Sequence, residues 1–446
     1  MKNLKFLFVS KPPFILFVVY VLIVVIFAGI LMLPISTTGG SVTNFTDAFF
    51  TSASAFCVTG LTVETTADYW STFGQIMLLL EIQLGGLGIM TIASFIAMLT
   101  NQKLEGSQRK LVQEATNSLN MGDLADLVKF ILKSSFIIES VGALLLAFSF
   151  VPQFGIYKGI WFAVFHSISA YCNAGFDLLG NTSLCEYASN VLLLLTISAL
   201  IVMGGIGFRV YDNVLKTRQF KKLRLHSKIV LASTVGLLLG GAFLFLIVEW
   251  NNPKTIGGLS LDKKILTSFF QSVTTRTAGF ASVDQLAITD ASAFLMIILM
   301  FIGGSPAGTA GGIKTTTFIT LLALIFSMLK NKDKIVIFKR RIPDELVKKA
   351  FAVFFISLLW CLIVSFLLMV FQKNIPPLDL IFETFSAFAT VGLTRGVTPS
   401  LCIVSKFLIS LTMLFGKVGV LGIAFAFAQK KRKVNYREAE EKIVIG

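Results

Sequence analysis

Residues 44–61 read NFTDAFFTSASAFCVTGL, and the pattern returns three times: WFAVFHSISAYCNAGF at 161–176, LTSFFQSVTTRTAGF at 266–280 and LIFETFSAFATVGL at 380–393. Each copy is a short amphipathic stretch ending in a glycine: Gly60, Gly175, Gly279 and Gly392. Ten residues before each glycine stands a phenylalanine (Phe50, Phe165, Phe269, Phe382). Six before stands Ser54, Ser169 or Ser386, with Val273 as the exception. Stretches this short cannot cross the roughly 30 Å of a bilayer core, and the segment after each glycine is polar. Non-helical backbone survives at membrane depth only inside protein or against a water-filled cavity. A helix directed into the membrane turns its partially negative C-terminal end toward the centre. Four such ends, each followed by an extended glycine-containing turn, make a cage of carbonyl oxygens for a dehydrated cation. One loop of this kind reads as glycine-permitted packing; four in matching phase read as a fourfold internal repeat.

The composition around these loops requires a membrane. Of 446 residues, 55% are hydrophobic and 14% charged, and the mean hydropathy is +0.82. Phe outnumbers Tyr 43 to 7, so most aromatics need no hydrogen-bond partner in lipid. A soluble chain could not hide that much apolar surface. Apolar runs long enough to span lie near 14–33, 73–99, 131–150, 190–211, 229–249, 291–328, 350–371 and 403–428. The first is too long for a signal-peptide core and lacks a cleavage site. Lys and Arg cluster at 103–110, 216–228, 330–349 and 430–437, while the alternate loops carry few. Positive residues stay cytoplasmic, so the net charge of +15 reflects topology rather than nucleic-acid binding, and both termini are expected inside. The fold class expected is an all-α polytopic membrane protein: eight transmembrane helices in four helix–pore-loop–helix repeats around a central pore. The repeats fall near 1–100, 129–216, 228–330 and 346–430 of a single membrane domain, 1–446. Five Cys without metal-like spacing and two distant His exclude a disulfide framework, a zinc site and a haem site.

One span is broken. Gly303, Gly304, Ser305, Pro306, Ala307, Gly308, Thr309, Ala310, Gly311 and Gly312 interrupt the sixth apolar run, with Lys314 just beyond. Each Gly costs a helix about 1 kcal/mol and Pro about 3, so the segment should border the pore and is expected to act as a gate. Its GTAGGIKT resembles a phosphate-binding loop, but Ile313 separates Gly312 from Lys314 and no parallel sheet surrounds it. Lys417 lies within the last apolar run, where a charge needs water or a partner; a place beside the ion path is expected, as an electrostatic barrier. Glu81 and Glu139 are expected to anchor pore-helix groups or pair with bases, and His166, Cys57 and Cys172 to pack. Arg276 is expected to salt-bridge at the outer mouth or tune the local potential.

These motifs resemble the Trk/Ktr/HKT superfamily of potassium transporters, and by the eight-helix length most closely the Ktr-type membrane subunit. The resemblance rests on CVTGL, CNAGF, RTAGF and TVGLT, on QLGGLGIMT (83–91) and GGIGF (204–208), and on GGSPAGTAGGIKTTTF (303–318) and FGKVGVLG (415–422). It implies a filter that binds K⁺ through backbone carbonyls of Cys57, Val58, Thr59 and Gly60; Cys172, Asn173, Ala174 and Gly175; Arg276, Thr277, Ala278 and Gly279; and Ala389, Thr390, Val391 and Gly392. Only Thr390-Val391-Gly392 reads like the filter of tetrameric K⁺ channels. The resemblance further implies a gate made of the 303–312 loop with Lys314 and Lys417; the family usually carries Arg where this chain has Lys417. It implies a homodimer in the plasma membrane, in contact with lipid, under a cytosolic ring of nucleotide-binding (KtrA-like, RCK-type) regulatory subunits. No loop here is long enough to fold such a domain, so K⁺ is the expected cargo and no organic cofactor is expected in this chain. The alternative, an ion-coupled secondary transporter of monovalent cations, would call for inverted repeats with matching broken helices. An enzyme would need a clustered acid, base or metal set, which the sequence lacks.

Overall fold

The computed structural model describes residues 12–88, 124–332 and 334–419. The ends of the spans drawn at 73–99 and 403–428, and the basic clusters at 103–110 and 430–437, lie outside the described residues. In chain order the principal helices are α1 (Pro12–Leu31), α2 (Phe45–Cys57), α3 (Thr72–Leu87), α4 (Leu124–Phe154), α5 (Ile156–Cys172), α6 (Val191–Ile206), α7 (Phe208–Thr217), α8 (Leu225–Glu249), α9 (Leu261–Thr274), α10 (Asp290–Phe301), α11 (Thr315–Leu329), α12 (Asp344–Phe371), α13 (Pro377–Ala389) and α14 (Ile403–Val418). A two-residue-per-strand hairpin, β1 (Val336–Ile337) against β2 (Arg340–Arg341), sits between α11 and α12.

These helices form four units of outer helix, pore helix and inner helix: α1–α2–α3, α4–α5–α6, α8–α9–α10 and α12–α13–α14. Among the described residues, the helices long and apolar enough to span alone are outer ones, within α4, α8 and α12. Their flanks expose large apolar side chains such as Phe148, Phe243 and Phe366, as a lipid-facing surface must. The pore helices α2 and α13 have 13 residues each, about 20 Å at 1.5 Å per residue, and are buried through most of their length. Each inner helix of the first three units starts on a side-chain cap. Ser71 accepts from Gly74 N–H, Asn190 from Leu193 N–H and Thr289 from Ser292 N–H, satisfying backbone donors that a helix start leaves free.

The units close on themselves. Besides any contact within its own unit, each inner helix packs on the pore helix of the next: α3 on α5, α6 on α9, α10 on α13 and α14 back on α2. The chain is an all-α polytopic membrane protein with pore-loop repeats around one axis.

The inner helices differ from expectation. Runs drawn to 99 and 211 stop being one helix at Leu87 and Ile206. At 16 residues each they are about 24 Å long, short of a full crossing. The next residues, Gly88 and Gly207, have φ of 83° and 92°, and α14 likewise ends at Gly419 with φ 88°. Beyond Gly207 the chain turns by 94° into α7. Hydropathy does not register such a stop, because glycine is neither polar nor a hydropathy minimum.

Candidate functional site

The four pore helices end at the centre of the ring, and three end alike. At α2, Val58 N–H donates to Ala55 O at 3.1 Å and Thr59 N–H to Ser54 O at 2.8 Å. The same paired bonds close α5 (Asn173 to Ala170, Ala174 to Ser169) and α13 (Thr390 to Ala387, Val391 to Ser386). This is the Schellman termination, which places one residue in the left-handed region. In all four loops the residue two before the glycine is left-handed: Val58 at φ 60°, Asn173 at 60°, Thr277 at 67° and Thr390 at 52°. The glycines follow at 94°, 72°, 82° and 90°. Left-handed backbone costs a residue with a Cβ roughly 1–2 kcal/mol, and β-branched Val and Thr are the least suited to it. Asn173 tolerates this region, and the three β-branched residues store about 3–6 kcal/mol, a large share of the net stability of a domain. Strain of that size persists only where the surroundings over-determine it, and it concentrates at functional sites.

Those surroundings are the neighbouring loops. A Cβ on Gly60 would lie 2.5 Å from Ala174 O, one on Gly175 2.7 Å from Ala278 O, and one on Gly279 2.6 Å from Val391 O. A Cβ on Gly392 would run into Thr59 O. Each glycine thus abuts the carbonyl before the glycine of the next loop, and the fourth returns to the first. The glycines are required twice over, by dihedral and by approach. The residues Val58, Thr59, Asn173, Ala174, Thr277, Ala278, Thr390 and Val391 are all at or below 1% exposed, and the hydroxyls of Thr59 and Thr390 have no protein partner.

Side chains of the pore helices hold the loops. Ser54 and Ser386 accept from Gly60 N–H and Gly392 N–H, each at 3.1 Å. Ser169 donates to Phe176 O at 2.7 Å. In the third unit Val273 has no hydroxyl to offer, and the next residue, Thr274, donates to Phe280 O at 2.6 Å. His166 Nδ1 meets Phe162 O at 2.7 Å and its Nε2 accepts from Leu178 N–H at 3.3 Å. It therefore both packs and fastens the outgoing loop, where packing alone was expected. Glu383 does the same through Thr394 (2.7 Å) and Thr398, and Gln271 through Ser282 (3.2 Å). The sequence reading assigned Glu383 and Gln271 no role; the available signal was a strong hydrogen-bonding side chain within an otherwise apolar pore helix. Glu81 accepts from Ser52 of α2, and Glu139 from the Gln83 amide at 3.0 Å.

The inner-helix motifs on which the resemblance partly rests share one pattern, Gly85-Gly86-Leu87-Gly88, Gly204-Gly205-Ile206-Gly207 and Gly416-Lys417-Val418-Gly419, whose packing role the sequence does not show. Cβ atoms on Gly85, Gly204 and Gly416 would collide with Phe56 O, Tyr171 O and Phe388 O, each four residues before a loop glycine. The first glycine therefore lets inner and pore helices touch, and the last, three residues on, ends the helix. In the third unit Gly303-Gly304 begins the same motif, and the long loop replaces its end. Earlier only this helix was read as broken; in fact α6 is broken at the same level, and the described parts of α3 and α14 end there.

The 303–314 segment lies under the loop ring, against the second and fourth units. Ser305 N–H donates to Gly205 O at 2.9 Å, Thr309 N–H to Gly204 O at 3.2 Å, and Phe208 N–H to Ala307 O at 3.1 Å. Thr309 Oγ1 reaches Tyr171 O at 3.4 Å, and a Cβ on Gly311 would strike Thr390. Three cations fasten its carbonyls. Lys417 Nζ donates to Thr309 O at 2.8 Å, Lys314 Nζ to Ala310 O at 2.6 Å, and Arg276 Nη2 to Gly303 O at 3.4 Å. Lys417 stands where the first two units have Gly86 and Gly205, in the last turn of described α14 rather than mid-helix. There a cation also suits the helix dipole. Arg276 was expected either to salt-bridge at the outer mouth or to tune the local potential, and the first is not what the structure has. It instead lies at the pore-helix end on the side of the 303–314 segment, with no carboxylate in salt-bridge range among the described residues.

Four pore-loop units closing a strained glycine ring above a clamped loop define a membrane cation-transport protein. The model of the TrkH family of cation transport proteins matches residues 13–436, and the chain belongs to that family. It is 41% identical over 431 residues to the potassium/sodium uptake protein NtpJ of Enterococcus hirae, covering 95% of each chain. It is 41% identical to the Ktr system potassium uptake protein B of Bacillus subtilis, covering 96% of each. Its fold is similar to the crystal structure of the potassium transporter TrkH from Vibrio parahaemolyticus, at a TM-score of 0.71 and 17% identity, over 92% of this chain and 84% of that one.

Proposed function

We propose that the chain is the ion-translocating membrane subunit of a potassium uptake system, with K⁺ held by carbonyls of the four glycine loops and admitted past the 303–314 segment. The observation that supports this most is the closed cycle of close approaches, Gly60 to Ala174, Gly175 to Ala278, Gly279 to Val391 and Gly392 to Thr59. A rigid ring of strained backbone suits an ion that exchanges its hydration shell for carbonyl oxygens. The two potassium-named relatives, each 41% identical, support K⁺ as cargo. An inside-negative membrane potential supplies about 2.3 kcal/mol per charge for each 100 mV, enough for uptake through a pore. Parallel units closed into a ring favour a pore over alternating access between inverted halves.

In this reading both termini and the β1–β2 hairpin are cytoplasmic, in the plasma membrane. Two copies of the chain associate in the membrane, and a separate nucleotide-binding subunit acts on the gate from below. The name "Ktr system" of the Bacillus subtilis relative supports a multi-subunit complex. The test is flux in proteoliposomes, with K⁺ compared against Na⁺. Gly→Ser at Gly60, Gly175, Gly279 and Gly392, one at a time, should each lower K⁺ flux at least tenfold or bring Na⁺ flux up to it. Parental rates and preference in all four, at equal reconstituted amounts, would overturn the filter assignment.

A further inference from the structure

Arg276 presents a problem that the ion path does not solve. The residue is 8% exposed, one guanidinium nitrogen (Nη2) makes a single long bond to Gly303 O, and the other (Nη1) has no partner among the described residues. A buried charge without a counter-charge costs several kcal/mol, and membrane burial makes it worse. The nearby end of α9 supplies only a partial negative charge.

Arg276 lines a small cavity between α6, α8, the end of α9 and the head of the 303–314 segment. Ile201, Val202 and Val273 give it apolar walls, and Gly304 and Gly205 close it on the loop side. Its other polar side chain is Thr234, 5% exposed, whose Oγ1 also has no protein partner. The cavity offers about 10 Å³, the lower limit for a single water, so a chloride, which is larger than water, enters with a small outward shift of the apolar walls. Arg276 and Thr234 can both donate, and the Gly205 carbonyl beside them is already engaged by Ser305 N–H. A site with donors, one fixed positive charge, apolar walls and room for a single particle selects a small monovalent anion. Sulfate, phosphate and carboxylates are too large.

We propose that this cavity binds one halide ion, chloride under ordinary conditions, held by Arg276 and Thr234. The ion neutralises Arg276 and fixes it in place. Because Arg276 holds Gly303 O, the ion also steadies the head of the 303–314 segment from the side away from the K⁺ path.

The test measures binding without flux, so its outcome is independent of the potassium reading. The full chain in detergent is heated at constant ionic strength while gluconate is exchanged for chloride. Tm should rise saturably with chloride, as for any ligand that binds only the folded state. Thr234→Val keeps the shape and removes one donor, and should weaken the chloride midpoint about tenfold. Arg276→Gln should abolish the saturable rise; should it not fold, Thr234→Val decides alone. Crystals grown in bromide should give an anomalous peak between Arg276 and Thr234. Equal Tm in chloride and gluconate would overturn the site. So would bromide absent from this cavity with water density in its place, or an unchanged midpoint in Thr234→Val.

Discussion

The third unit differs from the other three at every level of the ring. Units one, two and four end their pore helices in a Schellman turn, with a serine six residues before the loop glycine. Unit three has Val273 there, its helix ends at Thr274, and Ala278 N–H donates to Thr274 O instead of closing the Schellman pair, although Thr277 is left-handed at the same position as its counterparts. In units one, two and four, a glycine of the inner helix touches a carbonyl of its own pore helix; α10 has no such glycine. A single glycine of positive φ ends the described inner helices of the three, whereas thirteen residues, 302–314, separate α10 from α11. Three quadrants are thus locked by close packing, and the fourth exchanges packing for hydrogen bonds from three cations. Packed backbone is not continuously deformable, while a few hydrogen bonds can be broken together. The part that moves is therefore expected in the third unit, on a frame the other units keep fixed.

The largest effect should come from breaking the frame. Gly204→Ala drives a methyl group into Tyr171 O, and overpacking of this kind costs about 1–3 kcal/mol even where neighbours can shift. Here the obstacle is backbone, so a loss at the upper end is expected, read as a lower unfolding temperature and poor recovery of assembled protein. Gly416→Ala should behave alike. Gly240→Ala, in α8 of the third unit, has nothing within 4 Å of the new methyl. It should be neutral or gain up to about 1 kcal/mol from helix propensity. Equal tolerance at Gly204 and Gly240 would mean that the approach of Gly204 to Tyr171 O does not lock the second unit.

Next in size is the clamp. Lys417→Gln shortens the side chain by one atom and removes the charge that Nζ places on Thr309 O. A charged hydrogen bond contributes about 1.5–3 kcal/mol, so basal K⁺ flux in proteoliposomes should rise about tenfold or more, at unchanged insertion. Lys417→Arg should stay near the parent. Shortening the 303–312 loop should raise the basal flux of the chain reconstituted alone further still. A flat response across Lys417→Gln, Lys417→Arg and the shortened loop would leave the third unit a static kink.

The ring of loops was legible because its signal is positional: a glycine ten residues after a phenylalanine, four times over, in polar breaks between apolar runs. The left-handed residues beside those glycines were not, since Val58 and Thr390 are types that ordinarily avoid that region. Gly88, Gly207 and Gly419 were hidden because hydropathy passes through glycine, so the runs near 73–99 and 190–211 were drawn as continuous. The place of Arg276 in the repeat, level with Cys57 and Cys172, was legible, but not its partner: the repeat left a salt bridge at the outer mouth and a tuning of the local potential both open, and only the bond to Gly303 O shows that it faces the 303–314 segment.

The smallest effect concerns the braces, and it asks whether the third unit is unbraced or only braced differently. Ser54 and Ser386 accept from loop glycine N–H groups, while Ser169 and Thr274 donate to carbonyls beyond the glycine. All four hydroxyls are buried, so losing one leaves a single buried backbone group unpaired, at about 1 kcal/mol or slightly more. Ser386→Ala strands a donor and Thr274→Val strands an acceptor. A carbonyl with two lone pairs is left under-satisfied at less cost than a buried N–H left without any partner. Ser54→Ala and Ser386→Ala are therefore expected to cost slightly more stability than Ser169→Ala and Thr274→Val. Thr274→Ser, which keeps the hydroxyl, should restore most of what Thr274→Val loses. Thermal unfolding of the five variants in one K⁺ concentration checks the order. A Thr274→Val variant indistinguishable from the parent would mean that the third loop is held by its neighbours rather than by its own pore helix.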